Sequence, residues 1–135
     1  MILAARQLGW AHSVPDGPDG KRGEKSQIEI ARANGGDVTL PPQRCPYLFE
    51  WLCQAGPAQS GAMGPVGLSA SELQAWASCS AIELQPWEFA ALQRASRAYC
   101  AAYASADDCP PWGGTDGLSD PAEVEKQMMK AMRSI

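Results

Sequence analysis

The side chains suited to chemistry are few and scattered along the chain. One histidine, His12, is the sole imidazole, so any Ser-His-Asp or Cys-His arrangement would have to use it. It stands in a segment with little means of anchoring itself and reads as a surface histidine. The five cysteines, Cys45, Cys53, Cys79, Cys100 and Cys109, include no CxxC pair and show no metal spacing. Cys53, Cys79 and Cys100 are expected as buried free thiols, because free cysteine packs as a small hydrophobe. Cys45 and Cys109 border loops and are expected nearer solvent. Carboxylate pairs occur at Asp16/Asp19, Asp107/Asp108 and Glu123/Glu125. Two nearby acids can divide acid and base roles, yet these positions suit turns and helix caps. No Walker loop, GxGxxG or GxSxG occurs, and Gly35-Gly36 and Gly113-Gly114 read as turn glycines. The residues predict no enzyme, no bound metal and no cofactor.

The bulk properties point the same way. A chain of 135 residues suits one domain with a modest core. Its net charge of −4, with no dense Lys/Arg stripe, argues against a nucleic-acid partner. Lys21, Arg22 and Lys25 stand beside Glu24 and read as a solvated loop. An odd set of cysteines fits free thiols in a reducing compartment better than a disulfide framework. Met1–Trp10 lacks the apolar core of a signal peptide, and no apolar run is long enough to span a membrane. The expected setting is the cytoplasm of a cell, without membrane contact.

The elements that would position these residues are mostly helical. Residues 1–12 carry a weak helical pattern. Residues 13–23 are rich in Pro, Gly and charge, so 1–23 is expected as a flexible extension. Ile28 and Ala31 predict a short helix over 24–33 that stops at Asn34-Gly35-Gly36. Pro41-Pro42 then forces an extended link, and DVTL at 37–40 is the sole strand-like stretch. Pro46 opens a helix over 45–55 whose Tyr47, Leu48, Trp51 and Leu52 share a face. Residues 56–67 read as a Gly/Pro-rich loop. Ser69 and Glu72 match a capping box that starts a helix over 69–78, striped by Leu73, Trp76 and Ala77. Residues 85–105 form the longest helix, with Glu88 in its first turn. Ala91, Leu92, Ala95, Ala98, Tyr99 and Ala102 recur on one face, and small alanines let another helix approach closely. Residues 107–118 break the pattern. Asp120, Pro121 and Glu123 then restart a helix to 133, with Val124, Met128 and Ala131 on one side and Met129 and Met132 beside them.

The fold expected is all-α: a small bundle of four or five short helices with Gly/Pro-rich loops and a C-terminal amphipathic helix. The core domain spans 24–106, and 107–135 forms a loop plus that last helix. Leu48, Trp51, Leu52, Leu73, Trp76, Trp87, Leu92 and Tyr99 are the expected core. Trp10 and Trp112 fall in terminal or loop contexts, where an exposed indole can anchor a protein partner. Met128, Met129 and Met132 offer an adaptable apolar face that can dock in a partner's groove.

Residues 24–105 resemble a group of small proteins encoded in the tail-gene region of tailed bacteriophages and prophages. The resemblance rests on an ordered series: EKSQIEIARANG, the link LPPQ, the aromatic helix YLFEWLCQ, a Gly/Pro loop ending in GPVGLS, the capped helix with ELQAW, and IELQPWEFAALQRASRAYCAA. In the last stretch Pro-Trp-Glu opens a helix that leads to an aromatic before small residues. The resemblance implies a tail assembly chaperone that binds tape-measure or tail-tube protein transiently in the bacterial host. Two other roles remain open: a virion structural subunit for tail completion or connection, and an inhibitor of a host defence protein.

Overall fold

A computed structural model describes residues 1–105, 109–113, 125, 128–130 and 132–133. The described chain is mostly helical with a small two-stranded sheet. Its elements are α1 (Ile2–His12), α2 (Gln27–Ala33), α3 (Pro46–Ala55), β1 (Gln59–Gly61), β2 (Gly64–Val66), α4 (Ala70–Cys79) and α5 (Pro86–Ser105).

Helix α5 is the spine. Leu92, Ala95 and Tyr99 from α5 meet Leu48 and Leu52 from α3, Leu73 from α4 and Ala5 from α1 in one buried cluster. Further along α5, Ala102 packs with Trp10 and Ala11 of α1. The alanine face of α5 is therefore used by α1, the segment expected to be a flexible extension. The physical reason is size matching. Ala4, Ala5, Gly9 and Ala11 are all buried, and small side chains bring two helix axes close. Gly9 lies so near α5 that a Cβ there would collide with the backbone carbonyl of Tyr99. Close approach carries Trp10 into the core at 1% exposure, where it would otherwise have ended in solvent.

The segment after α1 is tied down as well. Ser13 is buried; its hydroxyl donates to the Trp10 carbonyl at 2.6 Å, and its own carbonyl accepts from the Gln27 N–H at 2.9 Å. A turn closed by an antiparallel bridge between Asp16 and Arg22 fills the interval. Buried Gln7 extends the anchorage: its Nε2 donates to the Thr39 carbonyl at 3.1 Å, and its Oε1 accepts from the Trp112 N–H at 3.0 Å. Residues 37–40 form no strand.

Local signals explain the helix ends. Ser26 and Glu29 form a capping box at α2. At α4 the Ser69 hydroxyl accepts from the Glu72 N–H at 3.2 Å, while the Ser69 N–H turns to Gln59 Oε1 at 3.5 Å instead of the Glu72 carboxylate. Both α2 and α4 stop in the same way. The N–H of Gly36 reaches back to the Ala31 carbonyl, and that of Ile82 to the Ala77 carbonyl, each at 2.9 Å. The residue between cap and return bond is left-handed: Gly35 with φ +82 in α2, but Ala81 with φ 54 in α4.

The Gly/Pro-rich stretch 56–67 departs from the all-helical expectation. It holds an antiparallel hairpin with Gln59 opposite Val66, Ser60 opposite Pro65 and Gly61 opposite Gly64. Three-residue strands show almost no alternation of apolar and polar side chains, so the hydropathy pattern had nothing to reveal. In the C-terminal stretch, residues 125, 128–130, 132 and 133 are helical. Asp107, Asp108, Gly114, Asp120, Pro121, Glu123, Val124, Lys126 and Ala131 lie outside the described residues. Among the described residues, no helix is long and apolar enough to cross a membrane.

Candidate functional site

Ser96, in the middle of α5, is fully buried and holds both ends of the hairpin. Its hydroxyl donates to the Pro57 carbonyl at 2.8 Å and accepts from the Leu68 N–H at 2.8 Å. One side chain thereby pairs the buried Leu68 N–H and the part-buried Pro57 carbonyl. The hairpin stands off α5 above Tyr99 and Tyr103. Between them runs a cleft of about 400 Å³, lined by Pro57–Gly61, Gly64, Pro65 and the two tyrosines. It is continued by a second hollow of about 360 Å³ past Pro65 and Tyr103, toward Asp16 and Arg22. Met63, at the hairpin tip, borders this hollow and is fully exposed.

Two tyrosines and one imidazole supply the polar side-chain chemistry at the α5 wall of the cleft. Tyr99 and Tyr103 stack with ring centroids 6.3 Å apart. The Tyr99 hydroxyl lies 2.7 Å from His12 Nδ1. Burial pushes Tyr99 up to about 12, with Tyr103, Cys100 and Cys53 adding to the shift, and burial pushes His12 down. Near neutral pH the phenol keeps its proton and can donate it to an uncharged imidazole. Partial burial also pushes the Cys100 thiol up, which keeps it from the thiolate form a nucleophile needs.

A second surface lies on α3, α4 and the start of α5. Tyr47 and Trp51 meet edge to face with centroids 5.0 Å apart, and Trp51 meets Trp76 at 6.3 Å. The Tyr47 hydroxyl donates to Glu88 Oε1 at 3.1 Å, and Glu88 Oε2 accepts from the Gln85 N–H at 2.9 Å, capping α5. Burial and the Glu88 carboxylate together push the Tyr47 phenol up.

The residues singled out from sequence divide as follows. Leu48, Leu52, Leu73, Leu92 and Tyr99 are buried. Trp51 and Trp76 are half-buried and pack against the core cluster, whereas Trp87 is 55% exposed and lies outside it. Trp10, expected as an exposed anchor, is interior. Trp112 is half-buried and its backbone is bonded to Gln7. Met128, Met129 and Met132 are exposed. Cys53 and Cys79, expected to be buried, are exposed, because they fall on the outer faces of α3 and α4. His12 is exposed, as expected of a surface histidine, but its ring is anchored by the Tyr99 hydroxyl. Sequence reasoning missed Ser96, Gln7, Tyr103 and Met63. A serine on the alanine face of α5 was the one available sign that a polar group must be satisfied inside.

Among the described residues, no group of three or more His, Cys, Asp or Glu side chains is placed to hold a metal ion. No protein-family model, curated protein or solved structure matches the chain.

Proposed function

We propose that this chain acts by binding another protein, with the hairpin and its tyrosine-lined cleft as the docking element. The observation that carries this reading is Met63. It projects fully into water from a hairpin that a buried serine holds at both ends. An exposed methionine on a fixed support, beside a cleft with aromatic walls, offers an adaptable apolar contact with little ordering cost. The helices, in this reading, serve as a small bundle that holds the hairpin in place.

The setting we propose is tail assembly in the cytoplasm of a bacterium carrying a phage or prophage. The partner would be tape-measure or tail-tube protein, held transiently. Support for that setting comes from the order of features over residues 24–105; support for protein binding comes from the exposed hairpin.

The test is co-expression of the full chain with the tape-measure and tail-tube proteins of its own genome, followed by co-purification. The chain is expected to co-purify with one of them and to be absent from finished particles. Met63→Asp is expected to weaken the complex by about tenfold or more. Binding to neither protein sinks the tail-assembly reading. Stoichiometric presence in particles replaces it with the structural-subunit reading, and recovery of a host defence protein with the inhibitor reading.

A further inference from the structure

The α3–α4 surface and the C-terminal residues complement each other in charge and in chemistry. Between Arg44 and Arg94 the chain holds four glutamates (Glu50, Glu72, Glu83 and Glu88) and no lysine or arginine. That same stretch supplies Tyr47, Trp51 and Trp76, whose rings form a chain of edge contacts at the rim of the core. Glu72 lies one helical turn before Trp76, and Glu50 nearly one turn after Tyr47, so each carboxylate flanks a ring. Both are exposed. Carboxylates attract a cation over distance, and indole and phenol rings bind one at contact through their negative faces.

The C-terminal residues have the opposite character. After Glu125 the sequence KQMMKAMRSI carries Lys126, Lys130 and Arg133 and no acidic side chain. Met128, Met129 and Met132 are 64%, 53% and 74% exposed, so the described residues leave them largely uncovered. Methionine sulfur makes favourable contacts with aromatic rings. One chain therefore presents both a cationic, methionine-bearing segment and an acidic, aromatic-bearing surface.

We propose that the α3–α4 aromatic surface of one copy receives residues 126–133 of a second copy. Reciprocal exchange closes a two-fold dimer in which each partner uses the same pair of patches. This dimer is independent of the hairpin reading above, since it uses neither Met63 nor the cleft.

Sedimentation velocity of the full chain over a concentration series tests it. A monomer–dimer equilibrium that loosens as salt is raised is expected. Trp76→Ala should weaken the dimer by about tenfold. Two charge-reversed full chains sharpen the test. Glu50→Lys with Glu72→Lys makes the surface cationic, and Lys126→Glu, Lys130→Glu and Arg133→Glu make the segment acidic. Each variant alone should be monomeric, and their mixture should dimerise, because each surface then meets a segment of opposite sign. Misfolding of a variant cannot produce that rescue, and circular dichroism checks the fold of each. A full chain that stays monomeric at every concentration overturns the proposal. So does a dimer that survives both sets of reversals, or a mixture of folded variants that fails to associate.

Discussion

Trp10 on α1 and Trp87 on α5 both sit beside residues of modest hydrophobicity, yet one is 1% exposed and the other 55%. The difference lies in their neighbours. Around Trp10 the chain places Ala4, Ala5, Gly9 and Ala11, which fit the alanine face of α5 and draw the helix down onto it. Trp87 stands in the first turn of α5, at the end of the core, where Glu88 turns inward to meet Tyr47 and Gln85. A bulky side chain is thus buried by the small residues around it as much as by its own hydrophobicity. The N-terminal region is a seam of close backbone contact; the α3–α4 region is a rim of large rings that remain within reach of solvent.

The sharpest way to break this contrast is to truncate both indoles. Trp10→Ala should cost about 3–5 kcal/mol, the usual range for emptying a large aromatic site, whereas Trp87→Ala should stay within about 0.5 kcal/mol. Urea denaturation of the two variants measures both, and equal losses would erase the distinction. Gly9→Ala should also destabilise the seam, by about 1–3 kcal/mol, because a rigid carbonyl faces the added methyl.

Ser96 links the spine to the hairpin, and its removal tests whether the hairpin is a fixed platform. Ser96→Ala leaves the Pro57 carbonyl and Leu68 N–H without their partner, at a cost of about 1–3 kcal/mol. Hydrogen exchange at the Leu68 amide should accelerate well beyond the global change. Unchanged protection there would mean that the hairpin is held by something else.

On the α4 side the expected change is a gain. Ala81 holds a left-handed backbone that glycine adopts freely, as Gly35 does at the matching position after α2. Ala81→Gly should stabilise the chain by about 1 kcal/mol, read as a raised thermal midpoint. A loss would show that the Ala81 methyl makes contacts worth more than its strain.

The smallest effect concerns the N-terminal seam and pH. Burial holds His12 below its ordinary value of 6.5, so the unfolded chain binds the proton more readily than the folded one. Its contribution is intact above 6.5 and is lost as pH falls through the depressed folded value. Stability should therefore decline on acidification below 6.5, and His12→Gln should flatten that slope. An unchanged slope would place the titration elsewhere.

Much of the helical framework was readable from local chemistry. Pro46 and Pro86 at first helical positions, the Ser69 cap and the alanine period of α5 each act within one or two turns of chain, and each marks an element the structure contains. The hairpin was not readable, since its three-residue strands carry no alternation and Ser96 reaches it across 28 and 39 residues of sequence. The placement of the tryptophans was not readable either. Helical spacing says which side chains share a face, but burial depends on what another element brings against that face.

By itself the sequence determined the predominance of helix, where most helices begin and end, and the cation-free stretch between Arg44 and Arg94. These follow from propensities, caps and composition, which act locally or simply count. Tertiary structure decided that α1 is core, that Trp10 is interior and Trp87 is not, and that Ser96 holds a hairpin above two tyrosines. Those outcomes depend on contacts between residues far apart in the chain, where complementarity of size and the need to pair buried polar groups choose among arrangements that local sequence leaves equivalent.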